Sequence, residues 1–222
     1  MCFSESQSYI NAILLIGGGI YLLPKYRLSI VLIFLAIKDL IQGLSYRFQN
    51  NQYILTLLAK LSWIHISFQP LIINVIASYF SKDNNLFWNF IFGLCIIYGI
   101  VLVFTLKDFD LLNINHCKKR YDFDDFCSQI TSSYIGKYHL GYQFSRVDDV
   151  VILRIYVVLM FIPALFTKSK RFILLWLLFV MFIYMGFPNV GSGEQAAIWC
   201  YASILYILPV ALLNNQVAKI MV

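Results

Sequence analysis

The sequence predicts an all-α polytopic membrane protein. It reads as one domain over residues 1–222, with seven transmembrane helices, the N-terminus outside and the C-terminus in the cytoplasm. Three observations carry that prediction. Apolar residues make up 60% of the 222 and charged residues 13%, against roughly 45–50% and 25% in soluble domains. The apolar residues gather into seven stretches, each near the length of about 20 residues that a helix needs to cross a hydrocarbon core. Lysine and arginine favour alternate short loops, the asymmetry that orients membrane helices.

A mean hydropathy of +0.75 agrees. This balance excludes a soluble fold, a disordered tail and a nucleic-acid module. A net charge of +6 would suggest a nucleic-acid partner in a soluble protein. Here the basic residues follow loop topology, so the expected partner is the lipid bilayer and not nucleic acid.

The elements follow in order. The first helix is expected over about Ser8–Leu23, stopping at Pro24-Lys25-Tyr26-Arg27, and the second over Leu28–Leu44, ended by the polar run 46–51. The third, Ile54–Phe80, is long and carries Pro70, which removes a backbone hydrogen bond and predicts a kink. The fourth covers Leu86–Leu106, and an outer loop of residues 107–149 follows it. The fifth, sixth and seventh are Val150–Phe166, Phe172–Phe187 and Ala196–Leu213. Runs such as Leu28–Ile37 are apolar on every side, which is helical logic and not the alternation of a membrane β-strand. The opening MCFSESQS lacks the basic region of a signal peptide, so none is expected.

Seven crossings place Lys25, Arg27, Lys82, Lys168, Lys170, Arg171 and Lys219 on one side. The other side receives Arg47, and Lys60 if it reaches the surface. The basic side faces the cytoplasm. Cys117 and Cys127 then share the outer loop, where an oxidising compartment permits a disulfide. Cys2 is an alternative partner, and in a reducing compartment all three stay free.

An ionisable group at membrane depth costs roughly 2.5–3.5 kcal/mol even on the milder scales, so each is a site candidate. Asp39, Gln42 and Tyr46 share one face of helix two at i, i+3 and i+7, and His65 and Gln69 share a face of helix three. Asn74 follows on helix three, Arg154 lies near the outer end of helix five, and Glu194 leads into helix seven. Most of these fall in the outer half of the bundle. They suggest a polar pocket opening outward under the long loop.

Structural readings compete at each position. His65 could bond a neighbouring carbonyl, Gln69 and Asn74 could tie helices together, and Asp39 could pair with Arg154. Helical geometry turns Lys38 away from Asp39, to snorkel or to pair elsewhere. Gly17-Gly18-Gly19 suits close helix packing.

No phosphate loop, dinucleotide signature, Cys-x-x-Cys pair or Gly-x-Ser-x-Gly elbow is present. A zinc site from His65, His139, Asp39 and Glu194 is arithmetically possible, with water in an open position.

The chain resembles an uncharacterised family of multi-pass membrane proteins. Met1-Cys2-Phe3-Ser4, His65-Ile66-Ser67-Phe68-Gln69-Pro70 with Asn74, the Asp39, Gln42 and Tyr46 pattern, Gly136-Lys137-Tyr138-His139, and Glu194 leading to Trp199-Cys200 carry the likeness. Lys137 stands where that family usually has an acid, and Gln195 where an aromatic is common. The resemblance implies a seven-helix fold and supplies no activity.

The expected function is binding of a small polar or lipid-headgroup ligand, with His65 as the titratable centre and Asp39, Glu194 and Arg154 around it. Three alternatives stand beside it. An intramembrane metal hydrolase would resemble the alkaline ceramidase and progestin-receptor superfamily, whose paired helix-seven histidines are missing from Ala196–Leu213. The others are a transporter or channel, and a scaffold without a ligand.

Overall fold

A computed structural model describes residues 4–24, 27–81, 85–106, 130–136, 140–145 and 150–167, together with 170, 173–174, 176–178 and 181. The described chain is mostly helical, with six α-helices and one β-hairpin. Helix α1 spans Glu5–Leu22 and is started by Ser4, whose side-chain oxygen accepts from the Gln7 amide at 3.3 Å. Such a cap satisfies one of the otherwise unbonded first-turn donors. Its buried residues Ser8, Asn11, Ala12, Leu15 and Gly19 form one face, with Ile13 67% exposed on the other side.

That face packs against α2, Ile30–Arg47, in the most extensive helix pairing among the described residues. Two glycines set the spacing. A Cβ on Gly19 would come within 2.8 Å of the Ile33 side chain, and one on Gly43 within 2.8 Å of the Tyr9 ring. Helices approach this closely only where a side chain is missing. Gly17 and Gly18 meet nothing within 4 Å, so close packing belongs to Gly19 alone of the three. Arg47 and Glu5 pair at 3.4 Å at the exposed end of this hairpin of helices.

The long third helix expected from sequence is two helices. Asn51 caps α3, Gln52–Ser67, by accepting from the Ile54 amide at 3.1 Å. The helix breaks at Phe68 and resumes as α4, Gln69–Tyr79, with Pro70 in its first turn. Proline is tolerated in a first turn because its missing donor would be unbonded there anyway. Helix α5 covers Asn85–Val103 and α6 covers Val150–Leu165.

Between them, in the segment expected as plain loop, Ser132–Ile135 (β1) pairs antiparallel with Leu140–Gln143 (β2), Ser133 facing Tyr142. A two-stranded ribbon alone is marginal in water. Here Leu140, Tyr142 and Phe144 are buried against the helices, Phe144 lying 4.6 Å from the Trp63 ring.

Among the described residues, two helical segments are long and apolar enough to cross a membrane, Gln52–Tyr79 across the break and Leu86–Val103. The reasons that the other helices fall short are local. Helix α1 opens on a polar turn, α2 carries Lys38, Asp39 and Arg47 within 18 residues, and α6 has 16 residues. The described positions from 173 to 181 are helical, while the expected seventh helix lies outside the described residues.

Candidate functional site

Helix α2 is buried on two sides at mid-length, and each side presents polar groups. The α1 side can be placed by register. Tyr9 opposes Gly43 and Gly19 opposes Ile33, so antiparallel geometry sets Asn11 within one turn of Asp39 and Gln42. All three are buried, Asp39 and Gln42 completely. Asp39 lies one turn before Gly43 on the same face and is thereby directed toward α1.

The other side faces α3 and the hairpin. Lys38 is fully buried, donates from Nζ to the Ser62 hydroxyl, and stands 3.8 Å from the centre of the Tyr142 ring. Of the two fates expected for Lys38, snorkelling or pairing elsewhere, the structure shows the second. Its neighbours supply a hydroxyl and an aromatic face, which together substitute for water around an ammonium group. A desolvated cation–π contact contributes about 2 kcal/mol.

One turn along each helix, His65 Nε2 lies 2.9 Å from the Phe34 carbonyl, and its ring stacks on Phe34 at 4.1 Å. A carbonyl only accepts, so Nε2 carries the proton and Nδ1 is left as an acceptor. That Nδ1 is buried and has no hydrogen-bond partner among the described residues. Ser62 and His65, three residues apart, share one face of α3. Lys38, Ser62, His65 and Tyr142 thus form a second polar layer on the α3 side of α2, and Gln42, one turn after Lys38, borders it.

The hairpin seals this layer. The Leu140 amide donates to the Tyr46 hydroxyl at 2.9 Å, and Gln52 Nε2 donates to Ser132 Oγ at 3.0 Å. Tyr46, expected on the face of Asp39 and Gln42, therefore anchors the loop.

Gln69 and Asn74 are directed to α6. The Tyr156 hydroxyl donates to Gln69 Oε1 at 2.9 Å. Asn74 Nδ2 donates to the Pro70 and Leu159 carbonyls, each at 2.8 Å, and lies 3.5 Å from Cys95 Sγ. Leu159 needs that donor because the residue four positions on is Pro163, which has no N–H to offer. These are the bonds of interhelical ties.

Arg154 is exposed on α6 while Asp39 is fully buried, and the two form no ion pair. Asp39 lies instead on the part of α2 that borders α1. Glu194, His139, Cys117 and Cys127 lie outside the described residues, and with them the expected disulfide and most of the zinc set. Among the described residues no group of three or more His, Cys, Asp or Glu side chains comes together to hold a metal.

Sequence reasoning missed Asn11, Ser62 and Tyr142 as members of the site. Asn11 had a usable signal, an amide inside an apolar run. Tyr142 had none, because nothing local announces which helix a loop will cover.

Fold and site together define a helical protein with membrane-span-capable segments and a polar cluster buried at the middle of its helices. Residues 12–221 match DUF5765, a family of unknown function, and the chain belongs to that family. No curated protein and no solved structure matches the chain.

Proposed function

We propose that this chain is a multi-pass membrane protein of seven crossings. In this reading its N-terminus is outside, and its buried polar cluster takes a small polar molecule or a lipid headgroup from the outer side. The observation that carries the reading is an inverted distribution of polarity. Lys38, Asp39, Gln42 and Ser62 are completely buried, whereas Ile13, Phe90 and Ile97 are each at least 63% exposed. In water the exposed apolar residues would be a liability. In lipid they are the natural outer surface, and buried ionisable groups then mark function by default.

The hairpin belongs to the loop assigned outside, and it covers the cluster from that end. His65 Nδ1 offers an acceptor and the Ser62 hydroxyl a donor, a pair suited to a ligand bearing hydroxyl or phosphate oxygens. Lys38, Ser62 and His65 hold the ligand in this reading, with Gln42 one turn after Lys38, and Asp39 and Asn11 keep the α1 side of α2 polar and in register.

The test is native mass spectrometry of protein purified in mild detergent. Wild type is expected to carry a non-covalent adduct that Lys38→Met and His65→Leu lose while retaining a cooperative unfolding transition. Identical spectra for wild type and both folded variants would overturn the binding assignment.

A further inference from the structure

We infer that the β1–β2 hairpin is the gate of the Lys38 site and that Tyr142 is its bolt, so that whatever reaches Lys38 must first displace the Tyr142 ring. The inference rests on the reading of the polar cluster as a binding site, and adds how that site is reached.

Three contacts fasten the hairpin, each different in kind. The Tyr142 ring stands over Lys38 Nζ at 3.8 Å. The Tyr46 hydroxyl accepts from the Leu140 amide at 2.9 Å, and Gln52 donates to Ser132 at 3.0 Å. The first closes the site itself, and the other two tie the strands to the adjoining ends of α2 and α3. Lys38 and Tyr142 are both fully buried, so no reagent touches the amine while the ring is in place.

The seat is also poorly cemented by apolar packing on the β1 side. Thr131, Ser132 and Ser133 are all buried there; Thr131 accepts from the Ser145 amide at 3.1 Å, while Ser133 Oγ has no hydrogen-bond partner among the described residues. A buried hydroxyl without a partner loses hydration with little return. A two-stranded ribbon contributes little cohesion of its own. Leu140, Tyr142 and Phe144 hold the β2 side in the core, so the β1 side is where opening would begin. Tyr142 adjoins Gly141 in β2, and a Cβ there would collide with the Tyr134 ring of β1. The cross-strand pair thus carries Tyr142 as one unit with the ribbon.

The experiment measures access to Lys38 without any ligand, in the full chain reconstituted in nanodiscs. Sulfo-NHS-acetate, a small polar acylating reagent, is added, and acetylation of Lys38 is followed by peptide mass spectrometry with exposed Lys170 as internal reference. Wild type should label slowly at Lys38. Tyr142→Ala should label roughly tenfold faster or more, the scale set by losing a desolvated cation–π contact. Tyr142→Phe, which keeps the ring, should match wild type. A Gln52→Cys/Ser132→Cys cross-link should slow labelling below wild type, and reduction should restore it.

Equal Lys38 labelling in wild type and Tyr142→Ala overturns the gate, as does a cross-linked form that labels as fast as its reduced form. If Tyr142→Ala does not fold, the cross-link comparison decides alone. Absence of labelling in every form also overturns it. Loss of the adduct assignment with gated labelling intact would remove the ligand and leave the gate; the reverse result would leave an open binding site.

Discussion

Asn74 shows at the scale of one residue how a helix bundle satisfies its buried polar groups. Pro163 removes the donor that Leu159 would have had within α6, and Asn74 of α4 provides one from outside at 2.8 Å. Leaving a buried carbonyl unsatisfied costs about 1–3 kcal/mol. Asn74→Leu should therefore lower stability by about that amount, read as a lower midpoint of thermal unfolding in detergent. The Pro163→Ala background tests the cause. With an N–H restored at 163, the same Asn74 substitution should cost clearly less, and an unchanged cost would show that Asn74 acts through another contact. His65 makes a complementary point. Its Nε2 is engaged by Phe34, as the structural reading expects, and its Nδ1 has no partner among the described residues, which is the atom the proposed binding role uses.

At the scale of elements, the α1–α2 pairing sets the site's geometry. Gly43 against Tyr9 and Gly19 against Ile33 fix the register that brings Asn11 to Asp39 and Gln42. Gly43→Val should force Tyr9 aside at a cost of about 1–3 kcal/mol, the usual range for overpacking. Tyr9→Ala in the same chain should recover part of that loss, measured as a coupling in a double-mutant cycle. Additive losses would mean that the two residues do not meet. The helix break at Phe68 was foreseeable from Pro70, because a proline that cannot donate is best placed in the first turn of a new helix. The β-hairpin was not foreseeable. Ser132–Ile135 and Leu140–Gln143 are short, and their burial comes from α2, α3 and α5 rather than from any pattern of their own.

Across the whole molecule, polar groups inside and apolar groups outside make one testable claim about the surrounding solvent. Leu94 sits on the exposed side of α5. If that side meets lipid, Leu94→Lys should cost roughly 2.5–3.5 kcal/mol of insertion free energy. The readout is the membrane-inserted fraction in a translation and translocation assay. In a water-facing helix the same change would be neutral or would improve solubility. Orientation has its own check: a reporter fused after Val222 should be active on the cytoplasmic side, with a glycosylation acceptor in residues 107–149 modified on the other. A reversed pattern would invert the proposed direction of ligand entry.

Composition, helical periodicity and the position of prolines determined the helical class, the approximate outer bounds of five helical segments, the kink before Pro70 and the roster of suspicious polar groups. These are properties of short range, readable because a helix has a fixed period and an apolar stretch has a length. Which polar groups meet was decided by tertiary structure. Lys38 and Asp39 are neighbours in sequence, yet about 100° apart around α2, so one was turned to Ser62 and Tyr142 and the other to α1. Gln69 and Asn74, spaced suitably for the His65 site, were drawn to α6 by a carbonyl that a distant proline had freed. Partner choice depends on the packing of elements far apart in sequence. The cost of leaving any buried polar atom unbonded settles the choice once that packing is made.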